Sequence, residues 1–579
     1  MTRSKRYSKQ TSIQRVFACV TVSLTLSAFL NCAQAAESDA DDRLQKLESA
    51  VAALQQENKA LKQQVAALAG GVGAAKSGAH AQAQAQKNSF APGGVVVDVG
   101  GRPVVVDTRP LTNYDFKSPP TDLLENGLVT SPNGKSPLSL QIGPLLFTPL
   151  GFMDFTSVTR STRNGGDIGT SFATFPYPNT ANAQLSETRF SAKNSRLGLR
   201  IDYGSSPPPD DQKDYIPDTS SDWRVTGYIE TDFLGNQPTN INVASNSDTL
   251  RMRVYFVDVQ HGPWEFLAGQ DWSMLTPNRT GISPFPNDIF FTQDVDTNYQ
   301  LGLVWERTPQ VRLLYHPNDH WTLGISAENP DQYVGPAVTL PARFDSSQVD
   351  NGSNGTATPN LMPDWIGKVA WDGKVAGLPW HVDAAGILNE YKINTFLPAA
   401  QTSTDAYGTG YGGSINFNIG VLPHLQLIGN FYASNGAGRE ISTGVAPDFI
   451  VTAPDSSGNY HIKTVDSYAA IGGLEWDVFH STKLYGYYGQ TYIGREFSEL
   501  PNGTFVGYGF PGSSNSNNKR IQEFTAGLTQ ILWNSKRYGD LKLLLQYSYL
   551  NRDPWSVAPG TPNQANMHMG YVDIRYDLP

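Results

Sequence analysis

The chain has 579 residues, of which 39% are hydrophobic and 17% charged, and a formal net charge of −10. So acidic a chain lacks the basic footprint that nucleic-acid binding needs, and that class of partner is excluded. No apolar run of about eighteen residues follows residue 35, which excludes helical membrane spans as well.

Residues 1–35 read as a secretory signal. Arg3, Lys5, Arg6, Lys9 and Arg15 precede the apolar stretch Val16–Leu30, and Ala33-Gln34-Ala35 places cleavage before Ala36. Acylation of Cys32 is the rival reading, for which Asn31 is a poor neighbour. Both cysteines, Cys19 and Cys32, leave with the signal, so the mature chain has no thiolate for metal binding or nucleophilic attack. Its formal charge becomes −15.

Residues 36–69 are expected to form an α-helical coiled coil. Leu44, Leu47, Val51, Leu54, Asn58, Leu61, Val65 and Leu68 recur at 3-4 spacing through four heptads. Asn58 at an a position costs stability but fixes register, and Gly70-Gly71 stop the helix. The alternative is one amphipathic helix packed on another surface. Residues 70–137 are rich in Gly, Ala, Gln and Pro and read as a flexible tether. Within it, Val95–Asp98 and Val104–Asp107 flank Gly100-Gly101-Arg102-Pro103 as a small hairpin, either local structure or a plug.

From residue 138 to 579 the pattern changes to alternating apolar and polar stretches of about ten residues, long enough for a tilted strand to cross a bilayer. Short joints at His261-Gly262-Pro263, Pro317–His320, Pro423-His424 and His480–Lys483 alternate with long ones at Thr276–Pro309, Asn329–Asp364, Asn435–Val465 and Glu496–Asn518. This parity predicts an all-β, transmembrane antiparallel barrel of sixteen strands. They centre near residues 152, 196, 229, 255, 269, 313, 324, 368, 385, 416, 429, 472, 489, 526, 546 and 573. The long joint Gly204–Asp222 and the strand-like Gln300–Arg307 leave eighteen strands open. Trp223, Trp264, Trp321 and Trp380 each open a strand just after an expected periplasmic turn, and Trp371, Trp476 and Trp533 lie just before one. They mark an aromatic girdle at one membrane level.

Alternation also sorts lumen from lipid. On the fourth strand it places Leu250, Met252, Val254 and Phe256 outward and Arg251, Arg253 and Tyr255 inward. Arg196, Arg200, Arg224 and Arg312 join the lumen, making an arginine-rich wall. Either these arginines pair with Glu230, Asp232, Glu265 and Asp271 on the same wall, or they meet solute. The opposite wall is neutral polar, with Lys368 and Lys542 as isolated charges. The third long loop carries Asp288, Asp294, Asp296 and Glu306 beside Arg279 and Arg307. An acidic loop facing a basic wall predicts a transverse field at a constriction. Histidines at metal-ligand spacing, a phosphate-binding loop and a nucleophile elbow are all missing. No metal, cofactor or enzymatic role is therefore expected.

Signal, coiled coil (Leu44–Leu68), linker and barrel, with the strand Arg251–Gln260 and the run Trp264–Leu275, together resemble the DcaP-type trimeric porins. The C-terminal Leu578-Pro579 departs from the aromatic residue that ends most such barrels. The resemblance implies a homotrimer in outer-membrane lipid, with the coiled coil in the periplasm, passing small anionic solutes such as dicarboxylates. Two alternatives stand beside it. One is a barrel serving as an anchor or adhesin with a coiled-coil tether; the other is a phosphate- or sugar-specific porin.

Overall fold

The computed structural model describes residues 94–99, 102–107 and 136–579, apart from 204–222, 236–248, 286–292, 353 and 443. The signal and the heptad residues Leu47, Val51, Leu54, Asn58, Leu61 and Val65 lie outside the described residues. Two units divide the chain after Asp115. In the first, Gly94–Val99 pairs antiparallel with Arg102–Asp107 around Gly100-Gly101, the hairpin expected from the sequence.

The second unit is a closed antiparallel barrel. Its strands are β1 (Leu145–Arg160), β2 (Glu187–Ser191 continuing as Arg196–Tyr203), β3 (Trp223–Asp232), β4 (Arg251–His261), β5 (Trp264–Trp272) and β6 (Arg307–Asn318). Then come β7 (Trp321–Glu328), β8 (Asp364–Val375), β9 (Leu378–Leu397), β10 (Thr402–Leu422) and β11 (Leu425–Asn435). The last five are β12 (Asp466–Phe479), β13 (Thr482–Ile493), β14 (Asn518–Ser535), β15 (Gly539–Pro554) and β16 (Ala565–Asp577). Each of the sixteen expected centres falls inside a strand. Gln300–Glu306 stays in a loop, and Arg307 opens β6, which decides for sixteen strands over eighteen. The seam forms where β16 pairs with β1, from Met569 opposite Arg160 to Asp577 opposite Phe152. Buried Arg575 crosses it to Asp154 at 2.9 Å.

Side-chain alternation does the sorting that the sequence anticipates. Met153, Phe155, Leu313, Ile325, Val572 and Ile574 are exposed on the outer face, while Asp573, Arg575 and Asp577 are buried within. The tryptophans line up at the short-turn end. Trp321 sits opposite Trp371, Trp223 stacks on His261 at 4.3 Å, and Trp264 meets Tyr315 at 4.6 Å. An apolar outer face closed by an aromatic ring is the exterior a bilayer demands.

Strand β4 departs from the expected alternation. Glu230 faces Val254 but Thr231 faces Met252, so Arg253 is one residue too many and the strand bulges. Arg251 and Arg253 point inward as expected. Beyond the bulge the alternation inverts: Val254 and Phe256 are buried inside, and Val257 is 51% exposed. The bulge puts Arg253 and Val254 on the same side, and Arg251 and Arg253 share the carboxylates of β3. Strands β9 and β10 differ in length, having 20 and 21 residues. At about 3.3 Å per residue that is roughly 66 Å, about twice what a crossing needs, so the outer half of this hairpin stands beyond the bilayer.

Candidate pore constriction

The third loop (residues 273–306) folds into the barrel and touches wall after wall. The Lys368 ammonium of β8 donates to the Thr276 carbonyl and Asn278 Oδ1, each at 2.8 Å. Arg279 donates twice to Glu475 of β12, at 3.0 and 2.8 Å. The Val295 amide donates to Gln546 of β15 at 2.6 Å, and the Tyr571 hydroxyl of β16 donates to Asp296 at 2.9 Å. The Leu301 amide donates to Glu523 of β14 at 2.8 Å, and Val304 bridges Ile441 of the sixth loop (residues 436–465). Apolar residues hold the same path: Tyr299, Leu303 and Trp305 pack with Tyr228 and Leu267 from one wall and Ile428 and Tyr485 from the other. At Gly489 of β13 the fit is so close that a Cβ would overlap the Leu301 carbonyl.

The predicted arginine wall exists, and most of it is paired. Arg251 makes a two-point contact with Asp232, 3.0 and 2.7 Å. Arg253 reaches Glu230 at 2.6 Å and Asp232 at 2.8 Å, and Arg312 reaches Asp271 at 2.9 Å. Arg196 stands 3.6 Å from Glu230 and over the Phe152 ring. Arg200 pairs with Asp202 and lies 4.7 Å from the ring centre of Phe285 in the third loop. Arg224 is exposed near the short-turn rim. Inward positions of β2 to β6 also carry Asp202, Glu230, Asp232, Asp258, Glu265 and Asp271, so most of these arginines have a carboxylate at hand. The wall is rich in arginine, and pairing mutes much of its charge.

The expected face-off between loop acids and wall arginines is not what forms. Asp294 accepts from Gln546 of β15 at 2.6 Å, and Asp296 accepts from Tyr571 and from the Thr170 amide of the first loop. Both acids therefore sit against β15 and β16, away from β2 to β6. Burial and the neighbouring Asp296 push Asp294 up to about 8, so it does not behave as an ordinary surface carboxylate. Asp288 lies outside the described residues. Lys368 and Lys542 are not isolated: Lys368 stands 3.5 Å from Asp383 and Lys542 2.8 Å from Asp577.

Toward the long-loop end, the third, fourth and sixth loops meet at Arg439. Its guanidinium contacts Asp364, Glu440 at 3.2 Å, Asp448 at 3.1 Å and Glu306 at 3.6 Å. Burial raises Asp448 to about 6 against the pull of Arg439, and raises Asp331 to about 7 with Asp350 beside it. A cleft of about 340 Å³ opens among the long loops, lined by Phe172, Asn298, Tyr333, Pro336, Val445 and Tyr508.

Glu475, Arg439 and Gly489 were not among the expected site residues. For Gly489 a signal existed, because a glycine inside a strand marks close approach of another backbone. Arg439 gave none, since a loop arginine reads as solvated until segments distant in sequence converge on it.

A closed sixteen-stranded antiparallel barrel narrowed by its third loop has the architecture of the general porins. No protein-family model and no curated protein matches the chain. Solved structures do. The chain is similar to the outer membrane channel DcaP of Acinetobacter baumannii, with a TM-score of 0.50 and 17% identity over 75% of this chain and 98% of that one. Also similar are an anion-selective porin from Comamonas acidovorans (TM-score 0.41, 11% identity, 75% and 99% covered) and OprB of Pseudomonas putida (TM-score 0.38, 10% identity, 74% and 94% covered). The likeness to DcaP is a likeness of fold, the one expected from the order of segments in the sequence.

Proposed function

We propose that this chain is an outer-membrane porin through which small hydrophilic solutes diffuse passively, with a weak preference for anions. The observation that carries the reading is the third loop, anchored across the lumen of a barrel whose outer face is apolar. That arrangement serves a channel that must be narrow and constant in shape, since packed loops and paired charges set the width. Weakness of the preference follows from the pairing: arginines that hold wall carboxylates contribute little net field to a passing ion. Arg200, with its side chain 32% exposed, and Arg224 remain accessible to solute, and small dicarboxylates are the class they suit. The heptads Leu47 to Val65 assemble three copies on the periplasmic side.

Reconstitution in a planar bilayer under a salt gradient tests this. Stepwise conductance with a reversal potential slightly favouring anions is expected. Absence of conductance would overturn the porin reading in favour of a membrane anchor, and a cation-favouring potential would overturn the preference.

A further inference from the structure

Where the third loop rejoins the barrel, four buried N–H donors have no protein partner: Nε1 of Trp272, Nε1 of Trp305, Nη1 of Arg307 and Nε of Arg196. They belong to one neighbourhood. Trp272, Trp305 and Tyr299 form a triangle of rings whose centres lie 5.4, 5.4 and 5.7 Å apart. Arg307 lies over both indoles, 5.2 Å from Trp272 and 6.0 Å from Trp305, and Arg253 lies 5.9 Å over Trp272. Buried donors in proteins are nearly always satisfied, so unmatched donors gathered around one ring cluster point to an acceptor there.

Charge points to what that acceptor is. Arg196, Arg251 and Arg253 share two carboxylates, Glu230 and Asp232. Arg307 brings a fourth cation to the same spot, and among the described residues no carboxylate forms an ion pair with it. Tyr299 senses the surplus: burial alone would raise its phenol, yet Arg196, Arg253 and Arg307 hold it below the usual value. Arg307 is half-buried with its Nη1 shut off from solvent, and a guanidinium so placed gains from a counter-charge. Water would accept the hydrogen bonds but leave the charge standing.

We infer that Arg307, Arg196 and the two indoles hold one compact anion, a halide or a carboxylate group, which pins the third loop to β5 and β6. The site is distinct from passage itself, because its occupant is resident and positions the loop past which solutes move. It does not rest on the porin reading: a barrel that conducts nothing would still bind the ion.

The test is crystallographic, on the full chain. Crystals soaked in bromide should show an anomalous peak within hydrogen-bond distance of Arg307 Nη1 and an indole nitrogen. Added acetate should leave that peak if the site takes only halide, and displace it if carboxylates share the site; either result supports a compact anion. The peak should vanish in Arg307→Gln. No peak in the wild-type protein would overturn the inference without recourse to any variant. A peak that persists in Arg307→Gln would overturn the assignment of Arg307 as its holder. A Trp305→Phe variant, which keeps the ring and removes one donor, should lower the peak's occupancy.

Discussion

The Arg279–Glu475 contact is the long reach of the third loop across the lumen, and Arg279→Ala should release it. Glu475 is 1% exposed and Arg279 11%, so the pair lies in the regime where removing one partner costs about 3–5 kcal/mol. Two contacts to Glu475 survive the change: Lys483 at 3.7 Å and the Tyr487 hydroxyl at 2.8 Å. They put the cost near the lower bound, about 3 kcal/mol. At roughly 1.4 kcal/mol per decade the opening equilibrium of the loop should rise about a hundredfold. The assay is hydrogen exchange on the amides of Thr280–Ser283, with single-channel recording for the accompanying flicker. In the double variant Arg279→Ala/Glu475→Gln the penalty should shrink, because no carboxylate is left buried without its cation. Exchange and flicker unchanged in Arg279→Ala would refute the anchor, and a double variant worse than the single would refute the account of its energy.

Acidity should tighten the outer loops. Burial raises Asp448 to about 6 and Asp331 to about 7. A carboxyl whose folded value is raised stabilises the packed state fully below the ordinary carboxylate range. That contribution is lost as pH rises through the raised value. Amides around Arg439–Ile441 should therefore be better protected on the acid side of 6 than above 7, after correction for intrinsic exchange; the reverse order would contradict the burial argument. Gly489→Ala should push the Leu301 carbonyl off β13 and raise conductance while the barrel still resists unfolding on unheated gels, since only the loop is displaced. Arg200→Gln should move the reversal potential toward cations. Arg312→Gln/Asp271→Asn removes a buried pair of no net charge and should leave the potential where it was, and an equal shift in both would mean that pairing does not mute the wall.

Barrel architecture was legible because it rests on short-range regularities. Period-2 alternation, loop parity and the tryptophan level each depend on a few residues in sequence, and together they located all sixteen strands. What escaped was set by tertiary partners. Nothing around Arg253 announces a bulge, because a bulge is a mismatch of register with β3 and shows only once the two strands are paired. The arginine wall could be read but not its pairing, for the same reason. Asp294 and Asp296 read as acids facing a basic wall, yet each turned to a glutamine or tyrosine on strands some 250 or more residues later in the chain. Gln300–Glu306 looked like a strand because of its apolar residues, but these are buried in the lumen against the barrel walls.

The seam between β1 and β16 bears on how such a molecule can come into being. Every other strand pairs with the one made just before it, whereas this ladder joins residues separated by most of the chain, and Arg575 meets Asp154 across 421 positions. Contacts of that span form late, because loop closure must precede any gain from them. Until then β1 and β16 are two raw edges with unpaired backbone groups, a state that hydrocarbon does not tolerate. Insertion and closure are therefore coupled for this chain, and the Arg575–Asp154 pair can form only once the seam has closed.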